Sequence, residues 1–176
     1  MTPQFLIRAA EPSDAPALQA LFSLPEVYPQ TSLMPYPDVA LWQKKVADRA
    51  ESWQSLVAEI DGELVGQVTL HPEAKIRRRH VASIGLAVHP AFSGRGIGRR
   101  LMTEAIMLCE RWLNVQRIEL IVYVNNEVAV ALYQKLGFVI EGTLKGYGFG
   151  DGAYQDVYFM ARCRWPDASS ATPNPE

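Results

Sequence analysis

Residues 81–100 read VASIGLAVHPAFSGRGIGRR. The first eight, rich in apolar and β-branched side chains, predict a strand that His89-Pro90 ends. Gly94, Gly96 and Gly98 then mark the start of a helical periodicity from Ile97 to Leu113, with Ile97, Leu101, Ala105, Leu108 and Trp112 on one face. Backbone N–H groups at a helix start face an anion, and glycine lets a phosphate approach the chain closely. Arg95 and Arg99 add positive charge, so a phosphate-bearing ligand is expected here. Spacing weakens two nucleotide loops. A dinucleotide fingerprint needs glycine where Arg99 stands, and a P-loop needs a Gly-Lys-Ser/Thr ending that is missing.

Upstream, Leu6-Ile7 opens a short strand, and Pro12-Ser13-Asp14 starts a helix carrying Leu18, Leu21 and Phe22. A loop with Pro25, Pro29, Pro35 and Pro37 leads to Asp38, which caps a helix reaching Arg49. SLVAEI and ELVGQVTL flank Asp61-Gly62, the dipeptide suited to a type I′ hairpin turn, and a basic loop KIRRRH follows. Downstream, residues 117–124 form a nearly continuous apolar strand of the kind covered on both faces. Asn126 starts a helix with the stripe Ala129, Leu132, Tyr133 and Leu136, and Gly137 ends it. A last hairpin turns at Asp151-Gly152. Strands alternating with helices at the centre, and hairpins at the ends, predict an α/β (α+β) domain: a mixed sheet flanked by helices. One domain over 1–164 is expected, with 165–176 a disordered tail.

Composition narrows the class. A chain of 176 residues, 48% hydrophobic and 20% charged, fits one soluble globular domain. The net charge of -2 argues against a nucleic-acid partner. No apolar run approaches the ~18 residues of a membrane span, and the N-terminus does not read as a secretory signal, so a cytoplasmic protein is expected. Cys109 and Cys163 lie in apolar stretches and are expected to be buried reduced thiols. His71, His80 and His89 are scattered without metal-ligand spacing, so no metal is expected.

The loop SGRGIG resembles the Gln/Arg-x-x-Gly-x-Gly/Ala loop of the GNAT N-acetyltransferase superfamily, with Ser93 at the first position as the departure. The strand IGLAV before His89-Pro90 looks like the superfamily's fourth strand, whose exposed backbone pairs with the pantetheine arm of coenzyme A. NNEVAVALYQKLGF is similar to its Asn-x-x-Ala-x-x-Leu-Tyr-x-x-x-Gly-Phe segment, here Asn126, Ala129, Leu132, Tyr133, Gly137 and Phe138. The likeness covers about residues 5–162 and implies the GNAT fold, a mixed, mostly antiparallel sheet of about seven strands flanked by about four helices. It implies acetyl-CoA as co-substrate, held by Leu86, Ala87, Val88, Ser93, Gly94, Arg95, Gly96, Ile97, Gly98, Arg99, Asn126, Ala129 and Tyr133, with a small-molecule amine as acceptor and a homodimer as assembly.

The chemistry implied is attack of an amine on a thioester. A backbone N–H of Leu86-Ala87, if the strand bulges there, can receive the charge on the carbonyl oxygen, worth roughly 3 kcal/mol. By its match to the superfamily's tyrosine, Tyr133 is the general acid. Where many members carry a basic glutamate this chain has Ser83, which leaves Glu26, Glu119 or water as the base. A peptide α-amine with pKa near ~8 is far more often neutral at pH 7 than a lysine near ~10.4, so a site without an obvious base suits the α-amine.

The segments PEVYPQTSLMPYPDVALWQKKVADR and EGTLKGYGFGDGAYQDVYFMAR look like bacterial L-amino acid N-acetyltransferases. Glu26, Tyr28, Ser83 and Tyr147 are then acceptor residues, with Met34, Tyr36 and Phe149 completing an apolar pocket. Arg77, Arg78, Arg79 and His80 pair with a substrate carboxylate or remain a solvated loop. The alternatives are protein N-termini, polyamines or other small amines as acceptors, or an acyl-CoA-binding module without catalysis.

Overall fold

In the computed structural model, which describes residues 5–48 and 53–165, seven strands form one sheet. They are β1 (Leu6–Ala9), β2 (Gln54–Ile60), β3 (Glu63–Pro72), β4 (Val81–Val88), β5 (Arg117–Tyr123), β6 (Val139–Gly150) and β7 (Ala153–Cys163), in spatial order β1-β2-β3-β4-β5-β7-β6. All neighbours run antiparallel except β4 and β5. Four α-helices join them: α1 (Ala15–Phe22), α2 (Val39–Ala47), α3 (Ile97–Arg111) and α4 (Glu127–Lys135). The expected tail begins at the boundary of the description, since residues 166–176 lie outside the described residues, as does Arg49.

Local chemistry sets the joints. Asp61 and Gly62, at φ 49° and 82°, close the β2–β3 hairpin, and Asp151 and Gly152, at 48° and 75°, close β6–β7. Asp38 accepts the Ala40 N–H at 2.9 Å to start α2. Between Ala58 and Glu59 the β2–β3 register shifts, leaving Val65 as the extra residue, with its side chain beside Val68 and Leu70 in the larger core.

The two faces of the sheet are covered unequally. On one face Ile97, Leu101, Met102 and Ala105 of α3 and Tyr133 of α4 pack with Ala58, Val68, Ile84, Leu120, Val122 and Met160, spanning β2 to β7. On the other, Leu18 and Leu21 of α1 and Trp42 and Val46 of α2 pack only on Val57, Leu64 and Ala87 of β2 to β4. β5 is therefore covered on one face, not two: Ile118, Leu120 and Val122 are buried while Ile121 is 42% exposed. Trp112 also departs from expectation at 76% exposure. It follows the last residue of α3, where the chain has left the helical stripe that carries Ile97 to Cys109. Cys163, at the end of β7, is exposed rather than buried, whereas Cys109 is fully buried in α3.

Arg8 ties β1 to the chain that follows. Its Nη1 and Nη2 donate to the two carboxylate oxygens of buried Asp14, each at 2.8 Å, and its Nε donates to Glu59 of β2. Hydrogen bonding from Arg8 holds the Asp14 carboxyl below its ordinary range against the cost of burial, with further help from the Glu11 N–H. Because the folded value is lowered, this contribution is complete above about pH 4 and is lost as pH falls through the folded value. Asp14→Asn is expected to lose stability at pH 7 in urea unfolding. Its deficit relative to the native protein should shrink at pH 3, and a deficit independent of pH would assign the effect to packing.

Candidate active site

The parallel pairing of β4 and β5 lasts only three residues, Val81↔Arg117, Ala82↔Ile118 and Ser83↔Glu119. Beyond Ser83, β4 has a ladder partner on its β3 side alone, from Leu70↔Ile84 to Gly66↔Val88. That register is continuous, so β4 does not bulge against β3 at Leu86-Ala87, the condition attached to an oxygen-binding N–H there. The backbone beside those residues is left without a strand partner because β5 diverges, and its donors and acceptors remain to be satisfied.

At the end of β4 the chain turns through Pro90–Phe92 into the glycine loop. Gly94 (φ 77°) and Gly96 (φ 81°) are left-handed, a conformation costly for any side chain with a Cβ. Gly96 is the N-cap of α3, with no side chain on its orphan N–H groups and no acidic residue in the first turn. The result is an exposed, uncapped start of a 15-residue helix whose dipole favours an anion. Arg95 lies over the Phe92 ring at 5.0 Å, and Arg99 is exposed; Arg100 instead pairs with Glu104 along the helix at 2.7 Å. Three elements converge behind the loop. A Cβ on Gly98 would stand 3.4 Å from both Leu86 and Val88 of β4 and 3.5 Å from Leu132 of α4.

On α4, the Asn126 side chain accepts the Ala129 N–H at 3.2 Å, so its oxygen caps the helix. Tyr133 is 7% exposed, with its ring against Phe138, and belongs to the same buried cluster as Ile84 and Leu120. Burial pushes its phenol up to about 12, so it is protonated at neutral pH.

A cleft of about 340 Å³ opens where β4 and β5 part. Ser83, Glu119, Ile121, Tyr123, Val157 and Phe159 line it on the face that α1 and α2 leave bare, Ile84 and Leu120 border it through the gap, and residues 30–32 and Tyr147 form its walls. Tyr147 is carried on an excursion of β6. Between Leu144↔Val157 and Gly148↔Gln155 the register shifts, and Asp156 pins the excursion by accepting from Lys145 Nζ (2.7 Å) and the Gly146 N–H (2.8 Å). Glu119 is held on both oxygens, by Arg117 Nε at 2.6 Å and Arg78 Nη2 at 3.1 Å. Arg117 pairs in turn with both oxygens of Glu141.

The structure thus gathers Ser83, Glu119 and Tyr147 in one cleft and separates the other acceptor residues. Glu26 is exposed and lines neither this cleft nor the second, of about 300 Å³, which holds Tyr28 and Tyr36 between α1 and the proline loop. Met34, Tyr36 and Phe149 are 78%, 96% and 67% exposed, and none of them lines the cleft with Tyr147. The basic loop contains a short 3-10 turn, Ile76–Arg78, and only Arg78 of it reaches the cleft's Glu119. Sequence reasoning missed Ile121, Tyr123, Val157 and Phe159. Their period-two spacing on β5 and β7 was the available signal, masked because both faces of β5 carry apolar residues. Neither cysteine lines the cleft, and burial pushes the Cys109 thiol up to about 12.

Residues 18–138 match the acetyltransferase (GNAT) family. The L-amino acid N-acetyltransferase AaaT of Escherichia coli K12 is 44% identical over 161 residues, covering 92% of this chain and 99% of that protein. The spermidine N(1)-acetyltransferase of the same strain is 33% identical over 120 residues, covering 68% of this chain and 62% of that one. Among solved structures, the GNAT-family acetyltransferase from Streptococcus pneumoniae superposes with a TM-score of 0.81 at 31% identity, covering 92% of this chain and all of that one.

The cleft wall rests on one close approach. Tyr123 donates its hydroxyl to the Thr31 carbonyl at 3.4 Å, and a Cβ on Gly148 would stand 2.7 Å from that hydroxyl oxygen. Gly148→Ala is expected to cost about 1–3 kcal/mol in urea unfolding by overpacking. In a Tyr123→Phe background the cost should fall, as a double-mutant cycle would show; equal costs in both backgrounds would refute the close approach as the cause.

Proposed function

The chain belongs to the acetyltransferase (GNAT) family, and from that premise we propose that it transfers acetyl directly from acetyl-CoA to the α-amine of an L-amino acid with a hydrophobic side chain. The observation that carries the acceptor class is the 44% identity with an L-amino acid N-acetyltransferase along nearly the whole of both chains. The apolar floor of the cleft, Ile121, Val157 and Phe159, supports a hydrophobic side chain.

The residues present fit coenzyme A. Gly94 to Gly98 with the open N–H groups of Ile97, Gly98 and Arg99 would hold its phosphates, with Ser93, Arg95 and Arg99 at the rim. The unpartnered edge of β4 at Leu86, Ala87 and Val88 would hold the amide arm, and Asn126, Ala129 and Tyr133 would close the opposite side. When bound, acetyl-CoA supplies an activated acetyl thioester. The β4 edge offers its N–H groups to the oxygen on which charge develops. Tyr133 donates a hydrogen bond to the departing sulfur. At a phenol pKa near 12 against about 8.5 for an ordinary thiol, complete proton transfer is uphill, so stabilisation through the hydrogen bond is its role.

Glu119 contributes fixed negative charge to the cleft wall and accepts an N–H of the acceptor amine. Both of its oxygens are already engaged by guanidiniums, and a solvent water takes the amine proton. That neither Cys109 nor Cys163 lines the cleft supports direct transfer over a thioester on the enzyme. The exposed, unpaired Cys163 suits a reducing compartment such as the cytoplasm. The long edge strand β6, with Val139, Leu144 and Phe149 exposed, supports a homodimer, which sedimentation at assay concentration checks; a monomer there would refute it.

A second reading, polyamine acetylation, is favoured by Glu119 as the one charged residue among the described residues that line the cleft and by the spermidine acetyltransferase relative. Acetyl-CoA-dependent thiol release with the twenty amino acids, short peptides and polyamines decides: hydrophobic amino acids should turn over fastest, and turnover with polyamines alone would overturn the acceptor class. In the same assay Tyr133→Phe should lower turnover at least tenfold with acetyl-CoA affinity little changed; unaltered turnover would remove the tyrosine from the chemistry.

A further inference from the structure

At the closed end of the cleft five side chains form a chain of contacts, Glu73, Arg78, Glu119, Arg117 and Glu141. Its members are bound unequally. Arg117 is nearly buried and fixed by close contacts to Glu119 and Glu141 on both sides. Arg78 is 45% exposed, holds Glu119 by one hydrogen bond of 3.1 Å, and faces Glu73 at 3.7 Å, beyond ordinary hydrogen-bond length. A guanidinium has five N–H donors in a fork matched to a carboxylate, and Arg78 uses one of them well.

An α-amino acid carries its amine and its carboxylate on the same carbon. Groups that recognise both must therefore stand side by side with opposite charge, and Glu119 on the cleft wall with Arg78 in contact with it has that arrangement. We infer that Arg78 is a specificity-determining residue that takes the acceptor's carboxylate in place of Glu73 while Glu119 takes its amine. This rests on the amino-acid reading above and deepens it. Arg77 and Arg79, its neighbours in the basic loop, make no contact with Glu119 and are not part of the pairing. The chain of five carries three carboxylates against two guanidiniums, so a simple amine also finds favourable charge at Glu119. What separates an amino acid from the amine with the same side chain is Arg78.

The test compares one amino acid with the amine that has the same side chain and no carboxylate, in the intact enzyme and in Arg78→Gln and Arg78→Lys. Arg78→Gln should raise KM for the amino acid at least tenfold and change KM for the matched amine and for acetyl-CoA less than twofold, with Arg78→Lys in between. Equal impairment of amino acid and amine would make Arg78 a mere support for Glu119 and overturn the inference, as would no impairment of either. An intact enzyme that acetylates polyamines and no amino acid would overturn the acceptor class together with the inference. An enzyme active on amino acids whose Arg78→Gln variant keeps the same preference would overturn the inference alone.

Discussion

The parting of β4 from β5 after Ser83 and Glu119 is the constraint from which the other features of the molecule follow. A strand inside a sheet has both edges hydrogen-bonded. Here one edge of β4 is released over its last five residues while the other stays paired with β3, so the backbone presents N–H and C=O groups without a strand partner. The glycine loop starts where that edge stops, and the helix N-terminus lies directly beyond it.

Such an opening would collapse if nothing spanned it. On one face α3 and α4 bridge the two halves, with Ile84 of β4, Leu120 and Val122 of β5 and Met160 of β7 in one cluster with Leu101 and Tyr133. At about 25 cal/mol per Å² of apolar area buried, those side chains dominate the energy of the bridge. The ion pairs at the closed end are partly exposed and contribute about 0–1 kcal/mol each, so they are not what holds the strands together. The opposite face has no such cover, because α1 and α2 end over β4, and the bare floor of β5 and β7 becomes the cleft.

What was legible in the sequence was local. The glycine loop, the Asn126 to Phe138 segment, the two Asp-Gly hairpins and the Asp38 cap each depend on residues within a few positions of one another, and each formed as the residue types require. What was not legible was the length over which distant segments pair. Nothing near Ser83 states that its strand will lose a neighbour, and β5 reads as covered on both faces because Ile121 is apolar whether it meets a helix or a substrate. The aromatic residues of the proline loop mislead for the same reason: Tyr36 and Met34 have the composition of a pocket and the exposure of a surface. Arg78 and Glu119, forty-one positions apart, meet only because α3 carries the chain back so that β5 starts beside the start of β4.

Residues 23–38, between α1 and α2, enter no strand ladder, yet three of them wall the cleft. A change in their length shifts no register, so the penalty that protects strands from insertion does not apply there. The released edge and the glycine loop, by contrast, belong to β4 and α3, and a single residue inserted in β4 would turn the side chains after it to the wrong face. One wall of the cleft therefore tolerates changes of length that the strand and helix on its other side do not.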